Sequence, residues 1–484
     1  MSDRYETTVG LEIHVELSTR SKMFCGCQVA FGAAPNSRTC PVCLGLPGSL
    51  PVANEAAVAS TIRIGLALGC DISERALFHR KNYFYPDMPK NYQISQYDLP
   101  LCVRGHLRIA GDSSSTVGIT RVHLEEDTGK SQHVGGSGRI ADSDYSLEDF
   151  NRAGTPLVEI VTEPDIRSAD EARKFVSELR LLLESLGVSD VRMEEGSMRV
   201  DANVSVRRVG ESAHGTKIEV KNMNSIRSVG RALAFEEERQ RRALEEGEML
   251  LQETRHFDEK TGRTSSLRTK EYAFDYRYFP EPDLVPLEPP RAWIEELRAS
   301  LPELPAERRD RFARDYGLGA ADIKVLTGSK STADWFESAA RAYDDDAKKV
   351  VNWIIADLFG LLNEAGIELS DSKVAPRQLA QLVRMIDSGV ISGKQAKLVL
   401  GDMFASGDDP EDVVAARGLE QVSDEASIAA IVDEVIADQK EAADKVRAGN
   451  AGTIGFLVGQ VMRRTNGQAN PKLVNEVLRR KLTP

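Results

Sequence analysis

The sequence predicts an α+β chain: a largely antiparallel sheet in an N-terminal cradle domain, then an all-α helical domain and a small all-α tail domain. Three observations predict this. Short segments in the first 290 residues alternate apolar and polar side chains, as half-buried strands do. Helix-period patterns alone follow. Between the two lies a Pro-rich passage over residues 288–305, next to Pro286 and including Pro289, Pro290, Pro302 and Pro305. The boundaries drawn are 1–290, 291–405 and 406–484.

The clearest strand is Val9–Leu17, where Val9, Leu11, Ile13, Val15 and Leu17 face one way and Glu12, His14 and Glu16 the other. Similar alternation marks residues 121–125, 200–206 and 217–221. Two helices interrupt these strands. Ser168, followed by Glu171, forms a capping-box pattern before the apolar run that ends at Gly187. Ser225 opens the second, which stops near Gly247. Beyond the Pro-rich passage, amphipathic helices are expected over 306–316, 331–342, 347–363, 376–388 and 392–405. A weaker break follows at Gly407-Asp-Asp-Pro410.

The chain has 484 residues, too many for one core, with 41% hydrophobic and 28% charged residues. No apolar run is long enough to span a bilayer, and the N-terminus has no basic start leading into an apolar stretch. A cytoplasmic protein without membrane attachment is expected. A net charge of −13 excludes broad non-specific binding to nucleic acid. The last segment departs from it: Arg463, Arg464, Lys472, Arg479, Arg480 and Lys481 face only Glu476, a local charge of +5. By charge alone, a solvated helical face is the favoured reading.

Cys25 and Cys27, then Cys40 and Cys43, form two close pairs that can supply four thiolates to a tetrahedral zinc ion. Four protein ligands leave no open position, so the role is structural. A redox dithiol or disulfides are the alternative, disfavoured in a cytoplasmic chain.

The polar face of Val9–Leu17 carries Glu12 and His14. In His123-Leu-Glu-Glu-Asp127, alternation puts His123, Glu125 and Asp127 on one face and Glu126 on the other. Glu159 lies within the apolar run Thr155-Pro-Leu-Val-Glu-Ile-Val161, where a carboxylate is costly unless paired or metal-bound. Such an oxygen-rich set with one imidazole suits Mg²⁺ or Mn²⁺. Taken singly, each segment also reads as a solvent-facing strand face, Glu159 excepted. The stretch Arg80–Gln93 interleaves Arg80, Lys81 and Lys90 with Tyr83, Phe84, Tyr85 and Tyr92, and Pro86 and Pro89 mark it as a loop. Asp275-Tyr-Arg-Tyr-Phe-Pro-Glu-Pro-Asp283 echoes that composition. Thr128-Gly-Lys-Ser131 is not a phosphate-binding P-loop, because Leu124 occupies the position of its first glycine.

Together these segments closely resemble the GatB family, the B-type subunits of the tRNA-dependent Asp/Glu amidotransferases. The resemblance rests on Val9–Leu17, Arg80–Gln93, Leu124-Glu-Glu-Asp-Thr-Gly-Lys-Ser131, Asn151-Arg-Ala-Gly-Thr-Pro-Leu-Val-Glu-Ile160, Lys221-Asn-Met-Asn-Ser225, Gly455-Phe-Leu-Val-Gly-Gln-Val-Met462 and Ala469-Asn-Pro471. It implies a ligase that uses ATP to phosphorylate the side-chain carboxylate of Glu-tRNA(Gln), Asp-tRNA(Asn) or both, and then amidates it with ammonia. It implies two partner subunits in a heterotrimer: an amidase (glutaminase) that releases the ammonia from glutamine, and a small third chain. The implied Mg²⁺ ligands are Glu12, His14, Glu159 and one of Glu125 and Glu126, of which strand alternation selects Glu125. Lys81 and Lys90 become candidates for phosphate stabilisation or the ammonia path. The four cysteines match the zinc pattern. Arg463, Arg464, Lys472, Arg479 and Arg480 become candidates for tRNA contact. The competing expectation is a non-catalytic, zinc-stabilised tRNA-binding scaffold.

Overall fold

The computed structural model describes residues 4–109, 115–135, 143–269, 273–419, 425–448, 450–465 and 469–482. The chain divides into two compact units, Met1–Glu307 and Arg308–Pro484.

The strands of the first unit are β1 (Tyr5–Glu16), β2 (Asp71–Ile72), β3 (His79–Asn82), β4 (Tyr92–Ser95), β5 (Cys102–Ile109), β6 (Ser115–Glu126) and β7 (Lys130–Val134). They continue with β8 (Tyr145–Asp149), β9 (Pro156–Thr162), β10 (Met198–Arg208), β11 (Ile218–Met223), β12 (Glu253–Asp258), β13 (Arg263–Thr269) and β14 (Phe279–Pro280). Nine form one sheet in the order β13-β12-β11-β10-β1-β9-β6-β5-β2, and β14-β3-β4 form a second. Every pair in the large sheet is antiparallel except β11–β12, as the alternating patterns predict. Strand β1 is thus the middle strand of nine.

Three helices pack on one face of this sheet: α1 (Glu55–Ala67), α2 (Ala169–Leu186) and α3 (Ile226–Glu246). The expected caps hold. Ser168 accepts from the Glu171 amide and Ser225 from that of Ser228, while Gly187 (φ 65°) and Gly247 (φ 74°) close the helices in the left-handed conformation. Helix α1 is one the sequence pattern does not reveal. It buries Val58, Thr61, Ile62, Ile64 and Leu66 on several sides, so it lacks the one-sided stripe that marks a surface helix. Val9, Leu11, Ile13 and Val15 are fully buried in this core. At roughly 1.5–3 kcal/mol each, they fix the register that turns Glu12, His14 and Glu16 to the opposite face.

Two further corrections concern local structure. The stretch Arg80–Gln93 is a hairpin, not a loop throughout: its ends pair as β3 and β4, and only residues 83–91 connect them. Lys130 opens β7 rather than a helix, so the P-loop remains excluded. The Pro-rich passage contains α4 (Arg291–Ala299), whose Leu297 joins the core of the first unit.

The second unit is helical. One core gathers side chains from α5 (Pro305–Tyr316), α6 (Ala320–Leu326), α7 (Lys330–Tyr343), α8 (Ala347–Trp353), α9 (Phe359–Ala365), α10 (Pro376–Asp387), α11 (Gly393–Ser406) and α12 (Pro410–Arg417). A separate core lies among α13 (Glu425–Asp438), α14 (Lys440–Arg447), α15 (Ile454–Arg464) and α16 (Pro471–Leu482). The single helix expected over 347–363 contains a π-helical turn at Ile354–Leu358. Val350, Ile354, Leu358 and Leu362 are all buried and recur every four residues. On an α-helix that spacing drifts by ~40° per step, and the wider turn offsets the drift. Among the described residues, no helix is long and apolar enough to cross a membrane.

Candidate functional site

Strand register assembles the site on the polar face of the large sheet. Glu159 of β9 lies directly between His14 of β1 and His123 of β6. His14 Nε2 is 3.5 Å from Glu159 Oε2 and 3.6 Å from Glu125 Oε1. His123 Nε2 is 3.3 Å from Glu159 Oε2 and 3.7 Å from Glu125 Oε2. His123 and Glu125 are 2% exposed and Glu159 is 8% exposed. Two carboxylates at such burial stay ionised only with positive charge beside them.

The two imidazoles provide that charge. Burial works against the His14 imidazolium, yet the hydrogen bond and charge of Glu159, with Glu125 and Asp201 beyond, carry its pKa up to about 9. Burial likewise opposes the Glu159 carboxylate, but His123 and His14 hold its pKa well below the usual range. The Ser95 hydroxyl donates to Glu125 Oε2 at 3.0 Å and orients it from β4.

His14, Glu125 and Glu159 offer one ligand atom each, all within 4.8 Å of one another. The charge the imidazoles supply by holding protons is the charge a divalent cation would supply there, so the donor set fits a metal ion. Glu12 projects from the same face one step along β1, and its Oε1 accepts from Asn203 Nδ2 at 2.9 Å. It is not part of the three-residue cluster. Sequence reasoning puts His123 on the right face but gives it no role. Its signal is the alternation shared with Glu125.

The two lysines have different surroundings. Lys81 Nζ lies 4.9 Å from the centre of the Tyr276 ring, and its charge helps hold the Glu125 pKa down. Lys90 forms a buried ion pair with Glu126, whose Oε1 also accepts from the Ile94 amide at 2.9 Å. Glu126 thus faces away from the His14 cluster, as alternation predicts. A cavity of about 100 Å³ lies beside this pair, lined also by Cys25, Cys43 and Gly45.

The four cysteines also converge, with sulfurs within 4.8 Å of one another and Cys40 and Cys43 sulfurs 3.9 Å apart. Thiolates around tetrahedral zinc sit about 3.8 Å apart, given Zn–S bonds of ~2.3 Å. All six cysteines are free. A hydrogen bond from Cys25 draws Cys43 down to about 4, while burial and the Cys40 contact push Cys27 up to about 11. Crowded thiols give up protons one at a time, and a bound cation is what lets several ionise together. At Gly45 (φ 63°) an added Cβ would lie 2.3 Å from Lys90 Cγ, so this glycine lets the cysteine loop close over Lys90. Asn36 Nδ2 donates to the Glu148 carbonyl and Asn151 Nδ2 to that of Ala34. These bonds tie the loop to the chain that leads into β9.

In the second unit, several of the expected tRNA contacts already have partners within the chain, two of them acidic. Arg464 pairs with Asp438, Arg480 with Glu425 at 2.6 Å, and Arg479 Nε donates to Asn475. Arg463 and Lys472 are exposed, and Arg463 lines a pocket with Gln439 and Gln460.

Comparison with known proteins accounts for most of the chain. Residues 7–295 match the family described as the GatB/GatE catalytic domain, and residues 334–482 match the GatB domain. The B-type subunit of the aspartyl/glutamyl-tRNA(Asn/Gln) amidotransferase from Moorella thermoacetica is 53% identical over 479 residues, covering 99% of this chain and 100% of its own. Proteins of the same description from Carboxydothermus hydrogenoformans and Geotalea uraniireducens are each 51% identical, covering 99% of both chains.

Proposed function

Since the chain belongs to the GatB family of aspartyl/glutamyl-tRNA(Asn/Gln) amidotransferase subunits, we propose that its His14–Glu125–Glu159 cluster is where the substrate carboxylate is activated. Membership makes the chain part of a tRNA-dependent amidotransferase, a ligase that converts misacylated Glu-tRNA(Gln) and Asp-tRNA(Asn) to their amides and works in complex with other Gat subunits. A purely scaffolding role is not favoured.

A carboxylate resists ammonia because oxide is a poor leaving group. Phosphoryl transfer from ATP to the side-chain oxygen creates a good one, and ammonia then displaces phosphate to leave the amide. A magnesium ion held by His14, Glu125 and Glu159, with Glu12 adjoining, would neutralise nucleotide phosphate charge. His123 and Ser95 orient the two carboxylates, and Lys81 adds positive charge at the edge of the cluster. Lys90, paired with Glu126, is the lysine assigned to the ammonia path. The four cysteines hold structural zinc. The partners are an amidase (glutaminase) and a small third chain in a cytoplasmic heterotrimer, with Arg463, Arg464, Lys472, Arg479 and Arg480 toward tRNA.

One observation supports this reading above others: two carboxylates and two imidazoles from three strands converge on one buried point of a polar sheet face. The experiment is Glu125→Gln and Glu159→Gln in the assembled complex. Charged-tRNA-dependent ATP hydrolysis and amide formation should fall by at least a hundredfold, while tRNA binding and glutamine hydrolysis persist. Full turnover in both variants would remove the proposal.

A further inference from the structure

The segment Asp275–Asp283 has no part in the chemistry above, yet it carries a cluster of aromatic rings to the edge of the acid–imidazole centre. Tyr278 stacks on Tyr97 with ring centres 4.3 Å apart and planes at 8°. Tyr276 meets Tyr278 edge-on at 6.0 Å. Burial raises the Tyr278 pKa, and so do the charges of Glu125 and Glu159, which places its hydroxyl within electrostatic reach of both. Tyr97 lies two residues beyond Ser95, the residue bonded to Glu125. Arg277, between the two tyrosines, holds a left-handed backbone at φ 48°. A non-glycine residue there is strained, and such strain collects at functional positions.

These rings do not behave as a core. Tyr97, Tyr276 and Tyr278 lie outside the hydrophobic core of the unit. Tyr97 is 47% exposed and Phe84 71%. Cations interleave with them: Lys81 lies over Tyr276 and Arg277 at 5.9 Å over Phe84, while Arg80, 5.8 Å from Phe279, is already paired with Glu281 and Asp283. Exposed aromatics alternating with cations are the chemistry by which proteins hold unpaired nucleotides, stacking bases and tracking phosphates. Their concentration in a chain of net charge −13 makes the patch local and specific.

We infer that Tyr97 and Tyr278, with Tyr276 beside them, form the stacking platform for the single-stranded 3′ end of the charged tRNA. The inference rests on the activation reading above and adds where the tRNA end sits. The acyl group hangs from the terminal ribose, so the last base must lie only a few bonds from the carboxylate that reacts. A platform within electrostatic reach of the acid cluster, two residues from the Ser95 that bonds Glu125, meets that requirement. Tyr97 and Tyr278 already stack on each other, so a base extends that stack from the exposed side of Tyr97.

The test uses the assembled amidotransferase. Tyr97→Leu and Tyr278→Leu should each raise the KM for charged tRNA about tenfold, as loss of one stacked base does. The KM for ATP and the glutamine hydrolysis rate should stay as in wild type, and Tyr97→Phe should restore the tRNA KM. Separately, 2-aminopurine in place of the terminal adenine should be quenched when charged tRNA binds the wild-type complex. An unquenched probe, an unchanged tRNA KM in both leucine variants, or a rise confined to the KM for ATP would each overturn the platform. A wild-type complex that forms no amide would overturn the activation reading itself, and is distinguishable because it appears before any variant is made.

Discussion

His123 is the residue on which sequence and structure part most informatively. Alternation along β6 puts it on the same face as Glu125, but a histidine on a polar strand face is usually just solvated. Only the register of β6 against β9 brings it to 3.3 Å from Glu159, and register between strands distant in sequence is not written in either strand alone. Because it orients a carboxylate of the cluster, His123→Gln should weaken Mg²⁺ or Mn²⁺ affinity about 10–100-fold, read by metal titration of the purified complex. Unaltered affinity would leave His123 a structural group. Gly45 offers a second test. Gly45→Ala meets both the Lys90 side chain and an unfavourable φ, so a loss of about 1 kcal/mol or more is expected in denaturant titration. The two cysteine pairs, by contrast, are legible at once, since four thiols at close spacing have few other uses.

Elements are legible where one face is apolar and the other polar. Strand β1 and helices α2 and α3 have that form, with caps that locate their ends to within a residue or two. Helix α1 and the β3–β4 hairpin do not: α1 is apolar on several sides, and the prolines between β3 and β4 mask the short strands that flank them. The cysteine loop is an element whose contribution is mechanical. Its hydrogen bonds to residues 148–151 brace the approach to β9. Cys43→Ser should therefore abolish near-stoichiometric zinc and speed amide hydrogen exchange over residues 148–155; unchanged exchange would confine the loop to a local role. In the helical unit, Glu337 of α7 accepts from Arg311 of α5 at 2.7 Å and also pairs with Arg308. Burial opposes the Glu337 carboxylate, but these arginines lower its pKa below 4.5. A lowered folded-state pKa stabilises above the unfolded value, and the contribution is lost as pH falls through the folded one. Glu337→Gln should cost about 1–3 kcal/mol near neutral pH, and the gap from wild type should narrow as pH falls below the ordinary carboxylate range and through the lowered folded-state pKa. A gap independent of pH would assign the loss to packing.

At the scale of the molecule, the cations proposed to meet tRNA in this acidic chain come from two segments, the hairpin with its aromatics and the last helices. Much of the second set is already neutralised by Asp438, Glu425 and Asp433. The exposed Arg463 and Lys472 should then matter more to tRNA than Arg464 or Arg480. Arg463→Ala and Lys472→Ala should each weaken tRNA binding and lower the slope of log affinity against log salt by about 1. Equal effects from Arg480→Ala would show that the intramolecular pairs open on binding.

The central place of β1 also sets a clock for biosynthesis. Its neighbours β9 and β10 begin at Pro156 and Met198, so this strand leaves the ribosome well before the rest of its sheet is made. At translation speeds of ~5–20 residues per second, that wait is on the order of ten seconds or more. During it, the valine, leucine and isoleucine side of the nascent strand has none of its native sheet neighbours beside it.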